Sequence, residues 1–222
     1  MKKFLIAAGI IAASSLIFSG CSKDDTEAPV ITLNGDNPFQ LEMLDTYVDP
    51  GATADDNEDG NITSSISVDA SEVDNRLPGT YEVHYNVSDA AGNAADAHRE
   101  VDVYATPAAL ATTYNVKDTC GSGASAQAFA YTQTVTAVNS TTISFNKFAD
   151  YSGNTGITAT VAANGTITLP LQSALDIGSF TEDHDFQGNG SVTITGFVIN
   201  YTDKNNSVVP TSTASCRAWF SR

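Results

Sequence analysis

The sequence predicts an all-β protein of two units, a β-sandwich followed by an antiparallel β-barrel or meander. Three observations predict it. Short extended runs alternate apolar and polar side chains, turn signals punctuate them, and no stretch after the first twenty residues keeps a helical period. Charge divides the two units. Residues 28–105 hold 16 acidic residues against Arg76 and Arg99, whereas residues 106–222 hold seven acidic and five basic ones. The shift places a boundary near Thr106-Pro107.

In the first unit Val30-Ile31-Thr32-Leu33 reads as a strand stopped by Asn34-Gly35-Asp36-Asn37-Pro38. Asp49-Pro50-Gly51 and Asp59-Gly60-Asn61 are turns, and 62–68 reads as the strand after them. The clearest alternation is Tyr81-Glu82-Val83-His84-Tyr85-Asn86-Val87-Ser88, a half-buried strand with Tyr81, Val83, Tyr85 and Val87 inward. Asp89-Ala90-Ala91-Gly92-Asn93 turns it, and 97–104 returns with Val101 and Val103 inward. About seven short strands in some 78 residues suit a sandwich. His84 and His98 fall on its polar side.

In the second unit strands are expected at 113–116, 129–138, 142–145, 157–161, 166–169, 192–201 and 214–220. Asn139-Ser140, Ala163-Asn164-Gly165 and Lys204-Asn205-Asn206 supply turns. Seven or eight strands in neighbour-to-neighbour order suit an up-and-down barrel, which removes exposed strand edges. A second sandwich is the competing fold. Glu182-Asp183-His184-Asp185 reads as a polar loop, since neighbours on a strand would point to opposite faces.

The motifs of the first unit carry a resemblance. Pro29-Val30-Ile31-Thr32-Leu33-Asn34-Gly35, Tyr47-Val48-Asp49-Pro50-Gly51-Ala52-Thr53-Ala54, Asp59-Gly60-Asn61-Ile62-Thr63 and Gly79-Thr80-Tyr81 through Gly92-Asn93-Ala94 resemble the bacterial surface immunoglobulin-like domain. Met43-Leu44 departs from the pattern, standing where members often carry a glycine-containing turn. The resemblance implies a spacer or adhesion module. In the second unit Tyr114-Asn115-Val116-Lys117-Asp118-Thr119-Cys120 and Cys216-Arg217-Ala218-Trp219-Phe220 resemble a lipocalin-like (calycin-like) domain.

The start of the chain is an address. Lys2 and Lys3 precede an apolar run from Phe4 to Phe18, too short to span a bilayer and followed by the small residues Ser19 and Gly20, which is the pattern of a signal peptide. Phe18-Ser19-Gly20 before Cys21 resembles a lipobox, which implies that residues 1–20 are removed and that Cys21 is acylated. Residues 21–27 then form a polar tether. Within it, Ser22-Lys23-Asp24-Asp25 resembles a signal that exports lipoproteins to the outer face of the outer membrane. With Cys21 lipidated, Cys120 and Cys216 remain as an even pair in a chain that crosses an oxidising compartment, and a disulfide between them is expected. Such a bond would close a barrel between its first and last strands.

Candidate ligand residues are few. Asp55, Asn57 and Asp59 alternate before Gly60 and offer the hard oxygens of a sandwich-loop Ca²⁺ site, against the reading of a solvated acidic turn. An EF-hand is excluded, because its twelfth position is Ile66. Phe148 and Tyr151 flank Ala149-Asp150 as aromatics for stacking on sugars, against the reading of core filling. A barrel interior is also a place for a small apolar ligand. With 26 acidic and 10 basic residues the chain lacks the basic face nucleic acid requires. It holds no nucleophile elbow, phosphate loop, HExxH or triad order. The expectation is a non-enzymatic, lipid-anchored surface protein that binds a protein, glycan or small apolar ligand. An accessory glycan-binding lipoprotein of a polysaccharide-uptake system is the alternative, and a carboxylate-dependent hydrolase has less support.

Overall fold

A computed structural model describes residues 24–123, 126–150, 156–177 and 181–222, so the signal segment, Cys21 and Tyr151 lie outside the described residues. The first unit has seven strands: β1 Val30–Leu33, β2 Phe39–Glu42, β3 Ala52–Asp56, β4 Gly60–Asn61, β5 Ser67–Asp69, β6 Gly79–Ser88 and β7 Ala94–Tyr104. They form two sheets, ordered β1-β3-β4 and β2-β7-β6-β5. The long β6–β7 hairpin carries the core: Val83, Tyr85 and Val87 alternate inward on β6, as Arg99, Val101 and Val103 do on β7. The edge strand β2 runs parallel to β7. The expected strand at 62–68 is broken, because Thr63–Ser65 forms a 3₁₀ turn and only Ser67–Asp69 pairs with β6. At the irregular Met43-Leu44, Leu44 adopts φ 78°, the left-handed conformation glycine would supply.

Arg99 holds this sandwich from within. It lies on β7 with its side chain fully buried, and its guanidinium donates to the carbonyls of Asn34 (2.6 Å), Gly51 (3.0 Å) and Asp36. Nε donates to the Tyr85 hydroxyl at 3.2 Å and lies 3.6 Å from Asp49 Oδ1. One buried cation therefore ties the two turns flanking β1 and β3 to the opposite sheet.

The two units join through the short helix α1, Pro107–Leu110. Thr106 accepts the Ala109 N–H at 3.0 Å and Pro107 occupies the first turn, the chemistry of a helix start. Ala105 N–H donates to Ala163 O at 2.8 Å, and Leu110 is buried beneath Tyr114, whose hydroxyl donates to the Leu110 carbonyl. A single cluster of buried apolar residues runs through both units.

The second unit is a closed eight-stranded antiparallel barrel: β8 Thr113–Cys120, β9 Gln127–Ala137, β10 Thr142–Phe145, β11 Ile157–Val161, β12 Thr166–Ile177, β13 Thr181–Thr193, β14 Gly196–Asn205 and β15 Ser212–Ser221. Each strand pairs with its sequence neighbours, and β15 closes on β8. The closed barrel rules out a second sandwich. Two local expectations change. The run 192–201 is split by a turn at Ile194-Thr195 into the end of β13 and the start of β14, and Glu182-Asp183-His184-Asp185 lies within β13 rather than in a loop. On β13 the inward positions after Phe186 are Gly188 and Gly190. A methyl group there would sit 2.2 Å from Asn200 O and 1.9 Å from Val198 O, so only glycine lets β13 lie this close to β14.

Candidate functional site

Among the described residues, aromatic rings pack the barrel interior apart from a small pocket at one end. The rings are those of Phe145, Phe148, Phe186, Phe197, Phe220, Tyr114 and Tyr201, with ring centroids 4.2 to 6.4 Å apart. Alternation along β14 and β15 sends Phe197, Ile199 and Tyr201, then Ala218 and Phe220, inward. Phe148 is 0 % exposed, in T-shaped contact with Phe145, Phe186 and Tyr201. It plugs the core, which corrects the expectation of a sugar-stacking aromatic at that position: a large ring gains more from burial than from exposure. Tyr151 lies outside the described residues.

One end of the interior is polar. Asp118, 2 % exposed, accepts hydrogen bonds from Tyr201 (2.5 Å) and Tyr131 (3.4 Å). Burial pushes its carboxyl above the usual range despite those bonds. The same burial, with the Asp118 charge beside it, raises the Tyr201 phenol. His184 is buried, with Nδ1 2.6 Å from Asp203 Oδ1 and Nε2 3.1 Å from Glu182 Oε2. Burial pushes the imidazole down, but the hydrogen bonds and charges of the two carboxylates win and raise it. With both ring nitrogens held by carboxylates, this histidine has no free lone pair for general-base or metal-ligand work. It bridges β13 to β14. A pocket of about 160 Å³ beside Asp118, Tyr201 and Asp203 is too small for most organic ligands.

The outer wall presents a different surface. The β15 alternation that buries Ala218 and Phe220 sends Arg217 and Trp219 outward. Trp219 is 42 % exposed, and the Arg217 guanidinium lies 4.7 Å from its ring centroid, a cation–π contact that steadies the indole. Trp219 stands between two depressions. The larger, about 920 Å³, crosses β12, β13, β14, β15 and β8 and is lined by Asn189, Asn200, Gln187, Thr168, Thr202 and Arg217 among others. The smaller, about 460 Å³, lies towards Lys117, Ala128, Phe129 and Ala130. An exposed aromatic beside amides, hydroxyls and a guanidinium can take a ligand with apolar faces and many hydroxyls. Trp219 was visible in the sequence only as part of a motif. Period-two alternation through Cys216, Ala218 and Phe220 is the signal that would have placed it outside.

In the acidic loop the structure brings together a different set from Asp55, Asn57 and Asp59. Asp55 is exposed and accepts from Asn61 Nδ2, Asn57 is exposed, and Asp59 Oδ2 accepts the Ala90 N–H. Asp56 points the opposite way from Asp55 and is buried. One carboxylate oxygen each from Asp25, Asp56 and Asp89 lie within 4.8 Å of one another. Asp25 comes from the tether and Asp89 from the turn after β6, so no local sequence pattern joins the three.

Cys120 and Cys216 face each other across the β8–β15 seam and form a disulfide with S–S 2.08 Å. Cys21 lies outside the described residues. No helix among the described residues is long and apolar enough to cross a membrane.

Residues 31–103 match the family described as bacterial surface protein, Ig-like domain. The sandwich, about a third of the chain, is therefore such a domain. No protein of curated function matches the chain. Among solved structures, a lipoprotein from Bacteroides thetaiotaomicron is similar at 20% identity and a TM-score of 0.35, over 87% of this chain and 100% of its own. CBM51-2 in complex with GlcNAc and INT domains of ZmpB from Clostridium perfringens is similar at 21% identity and a TM-score of 0.29, over 78% of this chain and 29% of its own.

Proposed function

We propose that this bacterial-surface Ig-like module and its barrel form a non-catalytic, lipid-anchored binding protein of the cell surface, with the outer wall of the barrel taking a glycan at Trp219. The sandwich acts as spacer between the acylated Cys21 and the barrel. The observation that carries the reading is the solvent-exposed Trp219, between two depressions, on a barrel whose interior is packed. With the core occupied by aromatic rings, recognition falls to the wall. A sugar ring offers C–H faces to the indole and hydroxyls to Asn189, Asn200 and Arg217, so apolar and polar contacts are made together. The engagement of both His184 nitrogens favours binding over acid–base catalysis.

The test is a glycan array followed by calorimetry on the best ligand. Trp219→Ala is expected to weaken binding about 10- to 100-fold, the cost of losing an aromatic anchor, with an unchanged circular dichroism spectrum. An array with no binder, or a Trp219→Ala variant that binds as the parent does, would overturn the assignment.

A further inference from the structure

The trio Asp25, Asp56 and Asp89 has the makings of a cation site, assembled from the tether, the end of β3 and the turn after β6. All three carboxylates are set by backbone around them, Asp25 Oδ1 by the Glu27 N–H at 3.1 Å. Asp89 Oδ1 accepts the N–H groups of Gly92 (2.6 Å) and Asn93 (2.8 Å), and its Oδ2 accepts Asn93 Nδ2 (2.7 Å). Asn93 Nδ2 also donates to the Asp25 carbonyl at 3.3 Å, which brings the tether to this turn. Asp56 Oδ1 accepts from Glu58 N (3.0 Å) and Asp59 N (2.9 Å).

The second oxygen of Asp56 is the decisive one. Asp56 is only 8 % exposed, and its Oδ2 is buried without a hydrogen-bond partner. With Oδ1 spent on its own turn, Oδ2 is left for the other two carboxylates. A buried, unpaired carboxylate oxygen facing two more acids is unfavourable unless a positive charge completes the site. Neither arginine of the sandwich supplies it, because Arg76 is paired with Asp74 and Arg99 is buried against Asp49.

We propose that Asp25, Asp56 and Asp89 bind one Ca²⁺ that clamps the tether onto the sandwich. The ligands are all hard oxygens, the set that suits Ca²⁺ over Zn²⁺. The three oxygens lie within 4.8 Å of one another, close enough to share one ion at the ~2.4 Å of a Ca–O bond, and Mg²⁺, which sheds water reluctantly, is the poorer fit to a site built of protein oxygens. Backbone carbonyls and water complete the shell. Because Asp25 lies four residues from Cys21, the ion sets how the sandwich stands relative to the anchored end of the chain. Besides the ion, the Asn93 Nδ2 bond to the Asp25 carbonyl ties the tether to the sandwich.

The experiment uses the full chain purified in detergent, stripped with chelator and returned to Ca²⁺ or Mg²⁺. Calorimetry is expected to give a Ca²⁺ dissociation constant of ~10⁻⁴–10⁻³ M, as in other extracellular modules. A tenfold excess of Ca²⁺ over that constant should raise the melting midpoint of the sandwich by about 6–11 °C. Ca²⁺ should also slow tryptic cleavage after Lys23 at least about tenfold, the readout specific to a clamp. Asp25→Asn, which alters only the tether, should abolish the Ca²⁺ shift and the protection, and Asp55→Asn should keep both. No Ca²⁺-dependent shift at millimolar ion, an equal shift with Mg²⁺, or a full Ca²⁺ response in Asp25→Asn would each overturn the proposal.

Discussion

Removing the buried guanidinium at Arg99 is expected to unfold the sandwich selectively. Arg99→Met keeps the length and apolar stem of the side chain but deletes the donors to Tyr85, Asn34, Asp36 and Gly51 and the charge beside Asp49. Four charge-assisted hydrogen bonds at ~1.5–3 kcal/mol each would overstate the loss, because Asn34, Gly35 and Asp36 lie in exposed loop and water can re-satisfy part of it. What water replaces only in part is the partner of Asp49, whose side chain is 22 % exposed and whose Oδ1 also takes the Tyr85 hydroxyl at 2.5 Å and the Tyr47 hydroxyl at 3.1 Å. The appropriate scale is the low end of breaking a buried ion pair from one side, about 3 kcal/mol, because the Asp49 charge left behind keeps some solvent. For a unit of this size that lowers the melting midpoint by at least about 12 °C. The assay is chemical denaturation followed by two probes. Circular dichroism reports the whole chain, and fluorescence of the single tryptophan, Trp219, reports the barrel. The dichroism transition should move to lower denaturant while the main Trp219 transition shifts less. Adding Asp49→Asn should recover at least about 1 kcal/mol, since it removes the stranded charge. A loss below about 1 kcal/mol, or the absence of coupling to Asp49, would refute the view that this cation holds the sheets together.

Two other outcomes concern the barrel. Cys120 and Cys216 are 96 residues apart, so the loop they close restricts the unfolded chain by about 4–5 kcal/mol on the chain-entropy model. Reduction should move the Trp219 unfolding transition to clearly lower denaturant, and an unmoved midpoint would show that the seam is held by its ladder alone. His184 sets a pH dependence. Its folded-state pKa is raised above the unfolded value of ~6.5, so its contribution is fully present below that pH and is lost as pH rises through the folded value. Barrel stability should fall over that alkaline window. The fall should flatten in His184→Gln, and an identical slope in both proteins would place the effect elsewhere.

Much of the fold was legible because it rests on local chemistry. The alternation of Val83, Tyr85 and Val87 can bury one face only as a strand, and the glycine and asparagine turns leave few ways to connect the next one. The even pair Cys120 and Cys216, at the two ends of a run of neighbouring strands, pointed to the closed seam. The failures also have local causes. The bend at Ile194-Thr195 contains neither glycine, proline nor asparagine, so nothing marked it, and Gly196 comes only after it. The run around His184 looked like a loop because it is charged. It is a strand because Asp203 and Glu182 satisfy the buried imidazole, and only β14 brings Asp203 there.

By itself the sequence determined the all-β class and the acidic character of the sandwich, since these depend on composition and on neighbours along the chain. Tertiary structure alone decided which side chains meet. It sank Phe148 into the barrel and raised Trp219 on its wall. It also drew Asp25, Asp56 and Asp89 from three distant segments to within 4.8 Å. A site is a convergence in space, and residues far apart along the chain carry no mark of it until the sheets have closed.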